Sequence, residues 1–392
     1  MISRLQQWLL SSSAIALILA IGCITAFTLS VPARDSLSYW TAGRQLLHRA
    51  NPYAFSAVDR LESAAGFHGA TGSLVMLNPP SALPLTLPFG PFGPRLAGLL
   101  WSLALLGCLV ASVRMVRTIH GSPKNYLHLL GYFFGPAVVC VFAGQIPLFA
   151  LLGLAIFLRL QRTRPFAAGA ALCLCAVKPH LFLPFGLVLL AWTIATRRYR
   201  IILGAAAAFA ATNALVLLLD PAVWTHYSQL MLTLAPRIAK EFIPCVSVVL
   251  RRSVDPHALW LQGVPEALGC VWAIAYFWKH RRDWDWMEHG SLLMLVSVFI
   301  APYTWLVDQS VLVPAMLHAV YRAPGRVCAK LLGWASVIII LQIILGADVR
   351  SPWNLWPTPF WIALYLWATK YSDAANELPQ SVNEEEASLA NI

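Results

Sequence analysis

Charged residues are scarce in this chain of 392 residues, and acidic residues are the scarcest of them. Only 11% of the residues are charged, 17 Asp and Glu stand against 28 Lys and Arg, and 59% are hydrophobic. A composition so poor in charge excludes a soluble protein, because too few charges are present to cover a water-exposed surface. It predicts an all-α integral membrane protein with one membrane domain, residues 1–371.

Paired cysteines are missing as well. The eight cysteines include no CxxC pair, and most, such as Cys108, Cys173 and Cys270, fall inside apolar runs. They are therefore interpreted as small core residues rather than as disulfides or zinc ligands. The net charge of +11 comes from small Lys and Arg clusters between apolar runs, which indicates membrane topology and not a nucleic-acid surface. The expected partner is the lipid bilayer, with no nucleic acid.

The apolar runs predict about twelve spanning helices. The first lies within residues 1–30; a cleaved signal peptide is the alternative, disfavoured by the length of its apolar run. The others are predicted at 94–113, 126–142, 145–159, 165–177, 180–196, 201–219, 258–278, 288–301, 306–320, 331–347 and 354–371.

Positive charge in alternate connections predicts the orientation of these helices. Each of five connections carries three Lys or Arg residues, near 114–124, 159–164, 197–200, 279–282 and 322–330. By the positive-inside rule, both termini are cytoplasmic in a multi-pass cell (inner) membrane protein. Residues 31–93 and 220–257 are then extracytoplasmic loops with interfacial helices, and 372–392 is a disordered acidic cytoplasmic tail.

Several predicted helices are shorter than the roughly 20 residues that a bilayer requires. They join in pairs at three turns, 143–145, 177–180 and 302–305. Non-helical backbone at that depth is tolerated only where protein or a water-filled cavity surrounds it. The sequence therefore predicts an outward-facing polar cavity with these turns at its floor and the first long loop as its roof.

Asp35 is the candidate for the reacting group. It lies near the start of a polar stretch, 34–53, that also contains Tyr39, Trp40 and an Asn-Pro-Tyr turn. The alternative is structural: Asp35 caps an interfacial helix over 36–48 whose aromatic residues lie at the membrane interface.

Lys178 is the second candidate, because a lysine within an apolar stretch costs free energy unless it has a partner or a task. It either grips a phosphate, aided by His180, or pairs with Asp308. Asp308 could instead orient a donor or acceptor hydroxyl. Gln145 either binds substrate or satisfies backbone groups of its own turn.

The second long loop adds an unusual positive surface. Residues 221–235 are predicted to form a helix lying on the membrane. Arg237, Lys240, Arg251 and Arg252 follow on the side where the positive-inside rule disfavours them. They are either a solvated loop face or a site for phosphate or lipid headgroups.

These motifs together resemble glycosyltransferase family 87, the polyprenyl-phosphate-mannose-dependent mannosyltransferases of the GT-C superfamily. The resemblance covers residues from about 30 to 320 and rests on the order of its motifs. The residues that carry it are Asp35, Tyr39, Trp40, Ala42, Gly43, Arg44, Asn51, Pro52, Tyr53, Asn78, Pro79, Pro80, Gly144, Gln145, Lys178, Pro179, His180, Pro302, Tyr303, Thr304, Trp305 and Asp308.

The resemblance implies a GT-C type bundle that performs an inverting sugar transfer on the extracytoplasmic side. The donor is a polyprenyl-phosphate hexose, mannose in the family, and the acceptor is a lipid or glycan. Asp35 matches the general base of the family. Lys178, His180 and Arg251 are then expected to bind the donor phosphate, and the remaining motif residues to line the substrate cavity.

The chemistry fits the residue types without a metal ion or cofactor. Displacement at an anomeric carbon passes through an oxocarbenium-like state, which requires a carboxylate for the acceptor proton and donors for the phosphate. Two other functions stay open at this point. A secondary transporter or lipid flippase would use Lys178 and Asp308 as a coupling pair, and a noncatalytic membrane assembly protein would not need Asp35.

Overall fold

The computed structural model describes residues 35–67, 74–323 and 326–377, together with Ile18 and Gly22. The predicted first helix, apart from these two positions, and the tail from residue 378 lie outside the described residues. Within the described part of the chain every regular element is a helix and no strand occurs, which confirms the all-α class.

Sixteen α-helices form in the described residues and are numbered in chain order. They are α1 Ser36–Leu47, α2 Phe55–Ala64, α3 Pro94–Ile119, α4 Leu129–Tyr132, α5 Gly135–Ala143, α6 Pro147–Leu160, α7 Pro165–Ala171, α8 Leu183–Ala195, α9 Tyr199–Leu219, α10 Val223–Lys240, α11 Val246–Val254, α12 Gly263–His280, α13 His289–Ile300, α14 Val313–Arg322, α15 Val327–Ile344 and α16 Pro357–Glu377.

Three of these helices, α3, α9 and α15, are long and apolar enough to cross a membrane. The predicted number of about twelve is not confirmed. Most other apolar runs are broken into shorter pieces, because prolines and 3₁₀ turns interrupt them. The predicted helix at 126–142, for example, is the pair α4 and α5, and Pro136 lies at the start of α5.

The short helices pack around three 3₁₀ segments, Leu172–Val177, Pro179–Leu181 and Leu306–Leu312. Helix α6 lies against both Leu172–Val177 and Leu306–Leu312, and α5 also contacts Leu306–Leu312. The helix predicted at 306–320 is thus a 3₁₀ segment followed by α14. The three turns predicted from the short runs therefore all lie beside the same group of segments.

The described parts of the first polar segment, 35–67 and 74–93, are held against the bundle by α1. Helix α1 has the predicted extent to within one residue, and the proline-rich part forms two 3₁₀ segments, Pro80–Leu85 and Leu87–Phe89. Gly43 allows α1 to approach this part closely, because a Cβ atom there would lie 2.4 Å from the carbonyl oxygen of Thr86.

The second polar segment, 220–257, contains two helices. Helix α10 corresponds to the predicted helix at 221–235 but continues to Lys240 despite Pro236. Helix α11 was not predicted, since nothing in its short apolar run distinguishes it from a loop. At the other end of the chain, α16 continues past residue 371 to Glu377, so the helix includes the start of the predicted tail.

Replacing Gly43 with alanine tests how the first polar segment is held. We expect Gly43→Ala to lower the free energy of unfolding by about 1–3 kcal/mol, because the new methyl group overpacks a contact with rigid backbone. Thermal unfolding of the detergent-solubilised protein measures the effect. Gly107→Ala is the control, since a Cβ atom at Gly107 meets no neighbour within 4 Å. Equal stability of the two variants would contradict the close approach.

Candidate active site

Asp35 precedes α1, at the position where a helix-capping side chain is expected. Its side chain makes no capping hydrogen bond. The Asp35 main-chain carbonyl instead accepts hydrogen bonds from the amide and the hydroxyl of Ser38, at 3.0 and 2.7 Å. The carboxylate accepts a hydrogen bond from the side-chain amide of Gln145, with 2.5 Å between Nε2 and Oδ2. The alternative interpretation, in which the Asp35 side chain caps the helix, is therefore wrong.

Gln145 links Asp35 to Tyr39. While Nε2 donates to Asp35, Oε1 accepts a hydrogen bond from the Tyr39 hydroxyl at 3.1 Å. The turn that presents Gln145 depends on Gly144, whose φ is +73° and whose Cβ would lie 2.9 Å from that of Ser36. Only glycine fits there without strain.

Trp101, which the sequence did not single out, supports the same turn. Its indole N–H donates to the carbonyl oxygen of Gly144 at 2.7 Å, and its ring stacks on Tyr39 with centroids 4.6 Å apart. The signal was available: a tryptophan inside the apolar helix α3 needs a partner for its N–H. The sequence does not say which carbonyl provides it.

Lys178 and Asp308 form a buried ion pair. Lys178 Nζ lies 2.5 Å from Asp308 Oδ1, and the two residues are 8% and 0% exposed. Asp308 Oδ2 also accepts the backbone N–H of Trp305 at 2.9 Å, which caps the 3₁₀ segment Leu306–Leu312. The sequence left open whether Lys178 pairs with Asp308, and the structure contains that pair.

The charge of Lys178 acts on Asp35. Burial raises the pKa of Asp35 above its ordinary value, and this effect exceeds the lowering by the Gln145 hydrogen bond and by the positive charge of Lys178. The carboxyl group is thus a stronger base than an exposed aspartate. It also lies near enough to Lys178 to interact electrostatically with it.

His180 and Tyr303 bring two of the turns into contact. Their ring centroids are 3.9 Å apart at an interplanar angle of 32°. Burial lowers the pKa of His180 to about 3, so the imidazole is neutral, and its buried Nε2 has no hydrogen-bond partner. His180 can therefore offer a hydrogen bond but adds no positive charge to that of Lys178.

Asn78 connects the first polar segment to the Lys178 turn. The side-chain amide of Asn78 donates to the carbonyl oxygen of Val177 at 2.8 Å. The main-chain carbonyl oxygen of Asn78 accepts a hydrogen bond from the Tyr53 hydroxyl at 3.0 Å. Asn51 holds Tyr53 in turn, by accepting its backbone N–H at 2.8 Å. The predicted cavity residues Asn51, Tyr53 and Asn78 thus form one chain of hydrogen bonds that ends beside Lys178.

Trp40 and Arg44 contact the end of the proline-rich part rather than this chain of hydrogen bonds. The Trp40 indole N–H donates to the carbonyl oxygen of Phe92 at 2.9 Å, and Arg44 Nη1 donates to that of Gly90 at 3.3 Å. Both side chains fasten α1 to the end of the proline-rich part. No hydrogen bond joins either one to Asp35.

Arg251 and Trp305 belong to the neighbourhood of the second polar segment. The guanidinium of Arg251 is buried and donates to the carbonyl oxygen of Pro256, while its Nε and Nη2 are buried without a partner. The Trp305 ring packs on a small apolar cluster formed by Ile243, Cys245 and Val248. Arg251 has no direct contact with Lys178 or His180 among its hydrogen bonds and ion pairs.

We call Asp35, Tyr39, Gln145, Lys178, His180, Tyr303 and Asp308 the central cluster. It combines a carboxylate of raised pKa, a lysine and a neutral imidazole. In the described residues, no three His, Cys, Asp or Glu side chains are grouped so that they could hold a metal ion. The arrangement offers proton transfer and hydrogen bonding to an anion.

The family model of glycosyltransferase family 87 matches residues 76–302, more than half of the chain. The chain belongs to glycosyltransferase family 87. It is thus a membrane glycosyltransferase by family. The matched region includes Asn78, Gln145 and Lys178, while Asp35 precedes it and Asp308 follows it. No curated protein and no solved structure matches the chain.

The ion pair can be tested by removing one partner. We expect Lys178→Met to lower the free energy of unfolding by about 3–5 kcal/mol, because it leaves the Asp308 carboxylate buried without a counter-charge. The double variant Lys178→Met/Asp308→Leu should recover much of that loss. Unfolding in detergent, followed for both variants, measures these differences.

The pair of Arg350, which is exposed, and Glu241, which is partly exposed, lies 3.5 Å apart and supplies the control. Arg350→Met should cost at most about 1 kcal/mol, since exposed ion pairs contribute little. An equal cost for Lys178→Met and Arg350→Met would contradict a strongly coupled buried pair.

Proposed function

We propose that this family 87 glycosyltransferase transfers a hexose, mannose by family resemblance, from a polyprenyl-phosphate donor to a lipid or glycan acceptor. The transfer inverts the anomeric configuration, and Asp35 is the general base. The observation that supports this is the Asp35 carboxylate: it makes no capping bond, its pKa is raised, and it lies within electrostatic reach of Lys178.

In the proposed reaction, an acceptor hydroxyl oxygen attacks the anomeric carbon as the bond from that carbon to the phosphate oxygen breaks. The hydroxyl proton passes to Asp35, and the electron pair of the broken bond leaves with polyprenyl phosphate. A raised pKa suits this role, because the carboxylate then binds a proton more tightly than an exposed aspartate does.

The leaving phosphate is proposed to bind Lys178 and His180. The Lys178 ammonium has three donors and uses one for Asp308, so the others are free for phosphate oxygens. His180 adds a hydrogen bond from a neutral ring, through the Nε2 that has no partner in the structure. Such donors stabilise the charge that develops on the leaving oxygen.

The wall of the substrate cavity is proposed to combine aromatic and amide groups. Tyr303, which is 38% exposed, stacks beside His180 and presents a ring on which a sugar face can lie. Tyr39 and Gln145 flank Asp35 on the acceptor side. Arg251, with two unpartnered nitrogens, is proposed as a further phosphate ligand that must shift to reach the donor.

The proposed location is the inner membrane, with the central cluster open to the extracytoplasmic side. Its support is the distribution of Lys and Arg, which lie in the connections at the opposite helix ends. The alternative function, a transporter or flippase that uses Lys178 and Asp308, draws on the same ion pair. Uptake of a solute without sugar transfer would favour it.

Replacing Asp35 tests the base. Membranes containing Asp35→Asn, incubated with radiolabelled polyprenyl-phosphate-mannose, should transfer label about 10²- to 10⁴-fold more slowly than wild type, the usual contribution of a general base. Asp59→Asn on α2 is the matched control and should keep the wild-type rate. Transfer by Asp35→Asn at the rate of Asp59→Asn would refute the assignment of the base.

The acidic limb of the pH profile tests the surroundings of Asp35. Transfer requires the ionised carboxylate, so activity should rise with pH through the pKa of Asp35. The hydrogen bond from Gln145 lowers the pKa of Asp35, so loss of that bond should raise the pKa further. Gln145→Leu should therefore move the acidic limb to higher pH. Gln262→Leu is the control, because Gln262 donates to the carbonyl oxygen of Pro302 instead. If the acidic limb of Gln145→Leu stays at the wild-type pH, Asp35 is not the group that titrates there.

A further inference from the structure

Helix α12 contains one acidic residue, Glu266, which has no role in the proposed reaction. Glu266 is 9% exposed and lies on the buried face of α12, in line with Gly269, Ala273 and Phe277. The rest of this face is apolar or without a side chain. Glu266 is therefore an acidic group that α12 turns toward the helix bundle and not away from it.

The carboxyl group of Glu266 has no partner among the described residues. Its Oε1 is buried without a hydrogen bond, and Oε2, which is not fully buried, makes none either. No described Lys, Arg or His side chain forms an ion pair with it. An acidic side chain in an apolar helix bundle costs free energy unless it has a partner or a task. Since the partner is missing, a ligand that reaches Oε2 is the natural explanation.

The helix dipole explains only part of this position. Acidic residues are favoured in the first turn of a helix, and Glu266 lies in the first turn of α12. The dipole acts on every face of that turn, and the next two residues, Ala267 and Leu268, are exposed. An acidic residue at either of them would gain from the dipole and keep its contact with the surroundings. The dipole therefore does not explain why the carboxyl group lies on the buried face.

Two contacts place Glu266 beside the turn that presents Tyr303. One turn earlier, Gln262 donates to the carbonyl oxygen of Pro302 at 2.9 Å. About one turn later, Gly269 packs so closely on α13 that a Cβ atom there would collide with the side chain of the last residue of α13. Glu266 lies between these two contacts, and it is near enough to Tyr303 to interact electrostatically with it.

Tyr303 connects Glu266 with the proposed donor site. The Tyr303 ring stacks beside His180, and the residue is exposed enough for a ligand to reach it. The Tyr303 hydroxyl makes no hydrogen bond within the described part of the chain. A sugar that lies on the Tyr303 ring is therefore near His180, on the proposed phosphate side, and also near the carboxyl group of Glu266.

The chemistry of a carboxyl group favours a hydroxyl group as its ligand. Carboxyl oxygens accept hydrogen bonds, while an ionised carboxyl group repels a phosphate. Glu266 is thus unsuited to the phosphate of the donor. The hydroxyl groups of a hexose are neutral donors, and they surround a ring that can rest on an aromatic side chain. Small-molecule sites combine such apolar surfaces with a few well-placed polar groups.

We propose that Oε2 of Glu266 accepts a hydrogen bond from a hydroxyl group of the transferred hexose while the sugar lies on Tyr303. This inference rests on the proposed function and deepens it, because it assigns a residue that recognises the sugar and not the phosphate. A site built to bind a hydroxyl group discriminates against an analogue that lacks it, since its own polar group is then left unpaired. Glu266 is thus a specificity-determining residue for the donor.

Donors that lack one hydroxyl group test the inference. Membranes containing the full-length protein are incubated with radiolabelled polyprenyl-phosphate-mannose or with each of its monodeoxy analogues, and kcat/KM is compared. For wild type, one analogue should react about 10- to 100-fold less efficiently than the mannose donor, the range for a hydrogen bond to a charged group. In Glu266→Leu, kcat/KM for the mannose donor should fall to that of this analogue, while the value for the analogue changes little.

Three further measurements separate sugar binding from a structural role. Glu266→Gln keeps an oxygen acceptor and should discriminate between donors better than Glu266→Leu and less well than wild type. Asp255→Asn changes an exposed carboxylate of the second polar segment and should discriminate as wild type does. Glu266→Leu should melt at the wild-type temperature or above it, because it removes a polar group that has no partner. Loss of a structural residue lowers the melting temperature instead.

The outcomes distinguish this inference from the proposed function. If wild type transfers no mannose, the proposed function is overturned and this inference with it. If wild type transfers mannose but uses the mannose donor and every analogue equally well, only the inference about Glu266 is overturned. It is also overturned if Glu266→Leu changes kcat/KM for all donors by the same factor, which includes no change at all.

Discussion

The buried ion pair of Lys178 and Asp308 is the contact on which the rest of the site depends. Two charges removed from water are tolerated only when each has its counter-charge and further hydrogen bonds. The pair therefore fixes the relative position of the turn before α8 and the 3₁₀ segment before α14. Because Lys178 is held there, its charge also acts at a fixed place on Asp35, which comes from a distant part of the sequence.

The interrupted helices create a second constraint, since each turn exposes carbonyl groups within a largely apolar bundle. Such groups must find donors. Side chains provide them at three turns: Trp101 donates to Gly144, Asn78 to Val177, and Gln262 to Pro302. The donors come from other helices or from the polar segments. The hydrogen bonds that satisfy the turns are thus the same ones that assemble the site.

The sequence predicted what depends on local pattern. The all-α class, the start of α1 and the three turns follow from composition, proline positions and short apolar runs. The partners of Asp35 did not follow, because Gln145 and Tyr39 meet it through contacts that no spacing reveals. Helix α11 and the breaks within 126–142 and 306–320 were also missed, since hydropathy alone marks neither a short helix in a polar segment nor a break within an apolar run. The family match extends over Lys178 but not over Asp35 or Asp308. The structure, and not the match, shows that these two aspartates lie near Lys178.

The orientation of the Gln145 side chain makes the two oxygens of Asp35 unequal. Because the Tyr39 hydroxyl donates to Oε1, the Gln145 amide is turned so that its N–H₂ group faces Oδ2 of Asp35. That oxygen is anchored, whereas Oδ1 has no hydrogen bond within the described residues. Oδ1 is thus the oxygen left for a further hydrogen bond, and the amide, which offers only hydrogens on this side, keeps the carboxyl plane from rotating. A single glutamine thus holds one oxygen of the aspartate in place and leaves the other without a partner in the described residues.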